Sequence, residues 1–310
     1  MKKIIVLLSS YNGEKYIKTQ IDSILNQKVD ADIELIIRDD GSTDNTLDIL
    51  DDFRKLNSNI TVIRGENLGY VASFFELISN APDSDYYSLS DQDDKWMEDK
   101  LQIAIDKLND IENIDPNMPL LYGSCSFLVQ DDMSIYGETQ KNIRGITLYN
   151  SLIQNILPGH SQVMNRRFIN IIRSININPS MIYVHDLFLT NIAQIHGKII
   201  FDNHSHTFYR QGKENSLGYG TSKISWVEQR IKRIKRNHCS NYSKQMIYMY
   251  EIEEENMQED IKTEINLFFS MQRNIFTRFL YVLRTKFYRQ KLIESCAFKF
   301  LYLIGKYRIN

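Results

Sequence analysis

The chain predicts an α/β fold, a mostly parallel sheet covered by helices on both faces, followed by a basic helical C-terminal region. Three observations predict it. Over the first hundred residues, short apolar runs alternate with segments whose apolar residues recur at helical spacing. That order suits parallel strands joined by crossover helices. Three of the runs end in polar clusters at residues 9–12, 39–44 and 91–94. The charge balance then reverses along the chain. Residues 1–221 hold 20 Lys+Arg against 30 Asp+Glu, whereas residues 222–310 hold 17 against 9.

Residues 3–8 form an uninterrupted β-rich run, the pattern of a strand buried on both faces. Ile17, Ile21, Ile24 and Leu25 follow at helical spacing. Residues 33–37 make a second strand that runs into Arg38-Asp39-Asp40-Gly41. Ser42 or Asp44 caps the next helix, which carries Leu47, Leu50 and Phe53. Residues 60–63 are a third strand, Phe74, Phe75, Leu77 and Ile78 mark a third helix, and residues 86–89 are a fourth strand leading into Asp91-Gln92-Asp93-Asp94. Shorter strands are predicted at 121–129, 162–164, 198–201 and 207–209, mixed with helices. Residues 215–221, with a Gly-Tyr-Gly stretch, read as a linker. Helix dominates beyond it, with apolar faces at Phe276, Phe279, Leu280, Leu283 and at Phe298, Leu301, Tyr302, Leu303. The expected domains are therefore 1–221, the α/β sheet domain, and 222–310, basic and helical.

A length of 310 residues, 43% of them hydrophobic and 25% charged, supports one large domain with an extension. Cys125, Cys239 and Cys296 show no CxxC pair or zinc spacing, so free thiols in a reducing compartment are expected. The N-terminal apolar run is too short for a signal peptide, and no stretch approaches the ~20 apolar residues of a spanning helix. A cytoplasmic protein follows, whose basic tail either meets a membrane's inner face or packs as a helical bundle on the first domain with its basic residues on the wet face.

In open α/β sheets, ligands bind at the carboxyl ends of the strands, where the three polar clusters fall. Carboxylates crowded at Asp91, Asp93 and Asp94 repel one another unless a cation sits among them. An all-oxygen set suits magnesium or manganese, and such an ion stabilises a departing diphosphate. A helix cap does not account for both Asp39 and Asp40, and a carboxylate there suits the imide N–H of uracil or thymine. Ser9 and Tyr11 end the neighbouring strand and offer hydroxyl and aromatic contacts to a base.

The blocks VLLSSYNGEKYIKTQIDSILNQ, IIRDDGSTDNT, ENLGYVASFFELI and YYSLSDQDDKW resemble glycosyltransferase family 2 in order and spacing. The resemblance implies the GT-A fold, a Rossmann-like mixed sheet, here with a C-terminal helical extension. SDQDDKW is further similar to the bacterial rhamnosyltransferase-like branch, which implies a dTDP-L-rhamnose donor, with a UDP-hexose as the other choice. PGHSQVMNRRF resembles the family's acceptor-side segment, and VHDLFLTNIAQIHGKIIF the segment that carries the base. By that resemblance Asp186, in the pair His185-Asp186, deprotonates the acceptor hydroxyl, and His185 shapes the site. The mechanism implied is a single in-line displacement with inversion. TFYRQGKENSLG matches a late family block at Tyr209, Arg210, Gln211 and Asn215, but Gly212 stands where relatives often have a metal-binding histidine. His204 or His206, or solvent and diphosphate oxygens, would complete the shell.

The assignments that follow are Ser9, Tyr11 and Asp40 on the nucleobase with Asp39 in support. Asp91 falls on the ribose or metal, Asp93 on the metal, Asp94 on the sugar, and Arg210 on the diphosphate, with Lys213 closing over it. The cofactor is Mn2+ or Mg2+. The partners are a UDP- or dTDP-sugar and a glycan or lipid-linked acceptor. Peripheral membrane contact and a homodimer through the tail stay open, and no nucleic acid is expected. No GxGxxG follows the first strand and no GxxxxGK[ST] occurs, which disfavours dehydrogenases and kinases. A nucleotidyltransferase would carry a glycine-rich basic loop after the first strand, and a glycoside hydrolase would have no nucleotide site. The remaining alternative is a GT-A-like module that binds sugar-nucleotide or glycan without turnover.

Overall fold

A computed structural model describes residues 1–210 and 238–309. The predicted linker at 215–221, the expected boundary at 221/222, Gln211, Gly212, Lys213 and the basic cluster at 230–236 lie outside the described residues. The chain begins β1 (Lys2–Ser10), α1 (Ile17–Leu25), β2 (Ala31–Asp39), α2 (Thr46–Leu56), β3 (Ile60–Arg64), α3 (Tyr70–Asn80) and β4 (Tyr86–Ser90). It continues with β5 (Lys95–Trp96), α4 (Lys100–Glu112), β6 (Leu120–Val129), β7 (Ile135–Glu138) and α5 (Leu148–Ser151). Next come β8 (Val163–Asn165), α6 (Arg166–Ser174), α7 (His185–His196) and β9 (Lys198–Arg210). Beyond residue 237 lie α8 (His238–Glu253), α9 (Glu259–Ser270), α10 (Ile275–Arg284) and α11 (Leu292–Leu303).

The strands form one mixed sheet in the order β3-β2-β1-β4-β8-β6-β9-β5, with β7 on the edge of β6. β1 pairs in parallel with β2 on one side and β4 on the other, so the order reverses at β1. That reversal opens a crevice at the carboxyl ends of β1 and β4, the place where such sheets bind ligands. β4 and β6 both pair antiparallel with β8, whereas β6 and β9 run parallel.

The two-residue period of β1 explains how it is buried on both faces. Ile4, Val6 and Leu8 point into a core with α1, α2 and α4 (Ile17, Ile21, Leu50, Leu101). Ile5 and Leu7 point into the opposite core, with Phe74 and Phe75 of α3, Phe168 of α6 and Phe188 of α7. Met249, Ile265, Phe268, Tyr281 and Tyr302 of the C-terminal helices belong to that same second core. These helices therefore pack on the sheet domain. No helix among the described residues is long and apolar enough to cross a membrane.

Two elements differ from the sequence expectation. The separate strands at 198–201 and 207–209 are one strand, β9, which pairs along β6 and absorbs its irregularities at Ser124–Phe127. The sequence reading has no element between Asp94 and Leu120, where the structure has β5 and α4. Leu101, Ala104, Ile105 and Leu108 of α4 are buried, a helical spacing legible in the sequence.

Candidate active site

The β1–β4 crevice is a cleft of about 450 Å³ lined by, among others, Ser9, Tyr11, Asp40, Asp91, Asp93 and Asp186. Six of the residues assigned from the sequence therefore share one cavity. Asp39, Asp94 and Arg210 do not line it. Asp39, at the end of β2, accepts hydrogen bonds from the Ser10 hydroxyl (3.1 Å) and the Ser42 amide (2.9 Å). Both of its oxygens brace the turn, and Gly41 takes φ 80° immediately beyond it, a conformation open to glycine at no steric cost. Ser42, one of the two predicted caps, is held by Asp39, and Asp44 accepts from the first helical amide, Thr46, at 3.0 Å.

Arg210, expected on a diphosphate, is engaged in this structure by the acidic loop and its neighbours. Its Nε donates to the Asp93 carbonyl (2.9 Å), its Nη1 to the Asp131 carbonyl, and its guanidinium lies 4.3 Å from the Tyr16 ring centroid. Its amide donates to Asp94 Oδ1 at 3.0 Å. The reason is positional: β9 pairs with β5, directly after the acidic loop, and a planar fork of donors suits nearby backbone carbonyls. Arg210 is thus a brace for the loop that carries Asp93 and Asp94.

Asp40 is buried and forms an ion pair with Arg38, which is also buried. Its carboxylate also accepts from the Leu68 and Gly69 amides, both at 2.9 Å. Arg38 continues to the Glu66 carbonyl (3.0 Å) and Ser73 Oγ (3.1 Å). The pair ties the end of β2 to the loop before α3, so both walls of the cleft depend on it. Removing one partner strands a buried charge. Arg38→Met is expected to destabilise the fold by about 3–5 kcal/mol, measured by urea unfolding, with part of the loss restored by adding Asp40→Asn.

Gln92 joins the β1 loop to the acidic loop. It accepts from the Tyr11 amide (2.8 Å) and donates to the Tyr11 carbonyl (2.9 Å). Gly13 packs so closely on its amide that a Cβ there would lie 2.8 Å from Gln92 Cδ.

Among the described residues, Asp91, Asp94 and His160 each place one ligand atom within 4.8 Å of the other two. Asp93 lines the cleft but is not one of the three. The third member comes from the PGHSQ segment: His160 Nδ1 lies 3.7 Å from Asp91 and 3.6 Å from Asp94. Its Nε2 is held by Ser126 Oγ at 2.8 Å, and its ring packs 4.3 Å from Tyr209. Such an outer-shell bond fixes which nitrogen faces the ligand. His204 and His206 instead pair with Asp202, at 2.8 and 3.2 Å.

The electrostatics agree with a site built for a cation. Burial, then repulsion from Asp93 and Asp91, pushes the Asp94 carboxyl well above its ordinary range. Burial, then the charge on Asp91, pushes Asp93 up to about 7. Burial also acts to raise Asp91, but His160 beside it, with His185 and Lys100, outweighs that and holds it below its ordinary value. Lys100 sits beneath them, fully buried, 3.3 Å from the Trp96 ring centroid, and burial drives its ammonium well below the usual amine range. Asp94 Oδ2 is buried without a hydrogen-bond donor. A divalent ion fits this donor set: two carboxylates and one imidazole with one orphaned oxygen.

Asp186 stands in the first turn of α7, across the cleft. Its Oδ2 accepts from the Gly159 amide (2.9 Å) and Asn155 Nδ2 (2.8 Å), and its Oδ1 from the Leu187 amide (2.8 Å). Its neighbour His185 is stacked on Phe74 at 4.3 Å, with both ring nitrogens buried and lacking hydrogen-bond partners. Burial lowers the His185 pKa, against the pull of Asp186 and Asp91, and keeps the ring neutral. Gly159 makes this approach possible, because a Cβ there would lie 2.8 Å from His185 Nε2. The sequence reading did not assign His160, Gln92, Phe74 or Gly159 to the site. Only the GHS tripeptide within the acceptor-side block pointed towards His160.

The sheet reverses at β1, with an acidic cluster at the switch point and a carboxylate opposite, as expected of the GT-A fold. The family model for glycosyl transferase family 2 matches residues 5–169, and the chain belongs to that family. Among relatives, a dTDP-rhamnosyl transferase of Shigella flexneri, RfbG, is 29% identical over 69% of this chain and 75% of its own length. The minor teichoic acid biosynthesis protein GgaA of Bacillus subtilis is 34% identical over 35% of this chain, a match spanning 25% of GgaA. S. aureus TarS 1–349 with UDP-GlcNAc superposes with TM-score 0.59 at 18% identity, over 98% of this chain and 80% of that one. The mannosyltransferase PcManGT of Pyrobaculum calidifontis, with GDP-Man and Mn2+, gives 0.57 at 15% identity, over 98% and 85%.

Proposed function

We propose that the protein is an inverting, divalent-metal-dependent glycosyltransferase. It moves a sugar from a nucleotide-diphosphate donor to a hydroxyl of a cell-envelope glycan or lipid-linked acceptor, on the cytoplasmic side. The observation that carries the reading is one cleft lined by Ser9, Tyr11, Asp40, Asp91, His160 and Asp186, with Asp94 buried beside Asp91 and His160. Asp91, Asp94 and His160 would hold Mn2+ or Mg2+, which neutralises charge developing on a leaving diphosphate. Tyr11, half-exposed at the mouth, offers a ring face to the base, and Asp40 sets its edge. The Asp186 carboxylate accepts the acceptor's proton as the new bond forms, held in place by the Gly159 amide and Asn155. Among donors, dTDP-L-rhamnose is favoured because RfbG is named a dTDP-rhamnosyl transferase and spans most of this chain. A UDP-hexose is the second choice.

A donor panel tests this. UDP-, dTDP- and GDP-sugars are titrated into the purified protein with and without Mn2+, following binding and slow donor hydrolysis. The expected result is a metal-dependent response to dTDP-rhamnose. A response to a UDP-hexose alone keeps the class and discards the rhamnosyl branch. Silence across the panel from folded protein replaces the reading with a binding module lacking turnover.

A further inference from the structure

The C-terminal helices do more than cover the sheet. Helices α10 and α11 turn Tyr281 and Tyr302 onto Phe268, at ring distances of 5.9 and 5.1 Å. Tyr281 also packs on Tyr302 at 4.5 Å, and Arg278 reaches Gly305, so the two helices lie side by side in opposite directions. Their inner faces meet one core, and their outer faces are left to solvent. On α10 that outer face is Ile275, Phe276, Phe279, Leu280 and Leu283, with Phe276 67% and Leu283 66% exposed. On α11 it is Ile293 and Phe300, continued by Ile304 just beyond the helix. Half of the strongly exposed large apolar residues among those described lie in 275–309. Scattered apolar residues need no explanation, but a gathering of them on two packed helices does.

Charge identifies what covers it. Residues 265–310 hold nine Lys and Arg against one acidic residue, Glu294. Glu294 takes a hydrogen bond from Gln154. Arg273, Arg284, Lys286, Lys291, Lys306 and Arg308 are exposed. A symmetric second copy would set this cationic rim against itself. An anionic lipid surface complements both features, taking up the apolar side chains below the headgroups and the cations at their level.

We propose that the outer face of α10 and α11 docks the protein on an anionic phospholipid bilayer. This rests on the tail alone and is independent of the donor, the metal and the transfer reaction.

The test is flotation of the full chain with vesicles of phosphatidylcholine alone or with 30% phosphatidylglycerol, at low and high salt. Binding is expected to the anionic vesicles only and to weaken with salt. Phe276→Ser/Leu283→Ser and, separately, Arg284→Glu/Lys291→Glu are each expected to lower binding at least tenfold. Unchanged thermal unfolding and donor binding would show these variants to be folded. No flotation with anionic vesicles at low salt overturns the proposal, as does equal flotation of the folded variants. A concentration-dependent dimer abolished by the Phe276/Leu283 variant, without vesicle binding, assigns the face to a second copy instead.

Discussion

Asp186→Asn is expected to lower sugar transfer by about 10³-fold, the middle of the range for loss of a general base, while donor affinity stays within about twofold. Asn matches Asp in shape, and its carbonyl oxygen can keep the bond from the Gly159 amide, so the cleft wall should hold. What it loses is the ability to take a proton. The kinetic signature is a fall in kcat with little change in donor KM, because the interaction matters only as the acceptor oxygen attacks. Steady-state transfer with a fixed acceptor, together with donor titration, reads both quantities. Full transfer by the variant would remove Asp186 from the role. An equal loss of donor binding would make it a wall of the donor pocket.

Asp94→Asn is expected to weaken Mn2+-dependent donor binding by roughly 10²-fold, since one of three converging protein ligands is lost. It should also make the metal-free protein more stable at pH 8. The sign follows from Asp94 and Asp93, whose carboxyl pKa values are raised in the folded chain by burial first, then by repulsion from Asp93 and Asp91 on Asp94 and from Asp91 on Asp93. A carboxyl raised on folding contributes stability fully present below its unfolded value, which is lost as the pH climbs through the folded value. Metal-free wild type should therefore lose this contribution between about pH 4 and, for Asp93, about 7. Asn carries no charge to bury, so the variant escapes the loss. Melting followed against pH, with and without Mn2+, should show the variant a few degrees above wild type at pH 8 without metal. The two should converge at pH 4, and added Mn2+ should lift wild type alone. A variant that melts below wild type at pH 8 without metal would show that the Asp94 carboxylate is a structural bond to the Arg210 amide rather than a strained ligand.

The element order of the first hundred residues was legible because burial leaves a local mark. A strand covered on both faces must be apolar throughout, as residues 4–8 are, and a crossover helix shows its buried side every third or fourth residue. The positions of Asp40, Asp91 and Asp186 followed, because strand ends and family blocks are local features. The functions of individual polar side chains were less legible. The contacts of Arg210 and Asp39 with nearby backbone and hydroxyl groups leave no mark that a local window can read.

What the sequence by itself determined is the α/β class, the strand ends that face the cleft, and the basic, apolar character of the tail, all set by periodicity and composition over short windows. What only the tertiary structure decided is which distant groups meet. β8 inserts between β4 and β6, the short turn before it brings His160 to Asp91 and Asp94, and the C-terminal helices close one face of the sheet. Each depends on strand pairing and shared burial between segments far apart in the chain, and neither leaves a repeat that a local window can read.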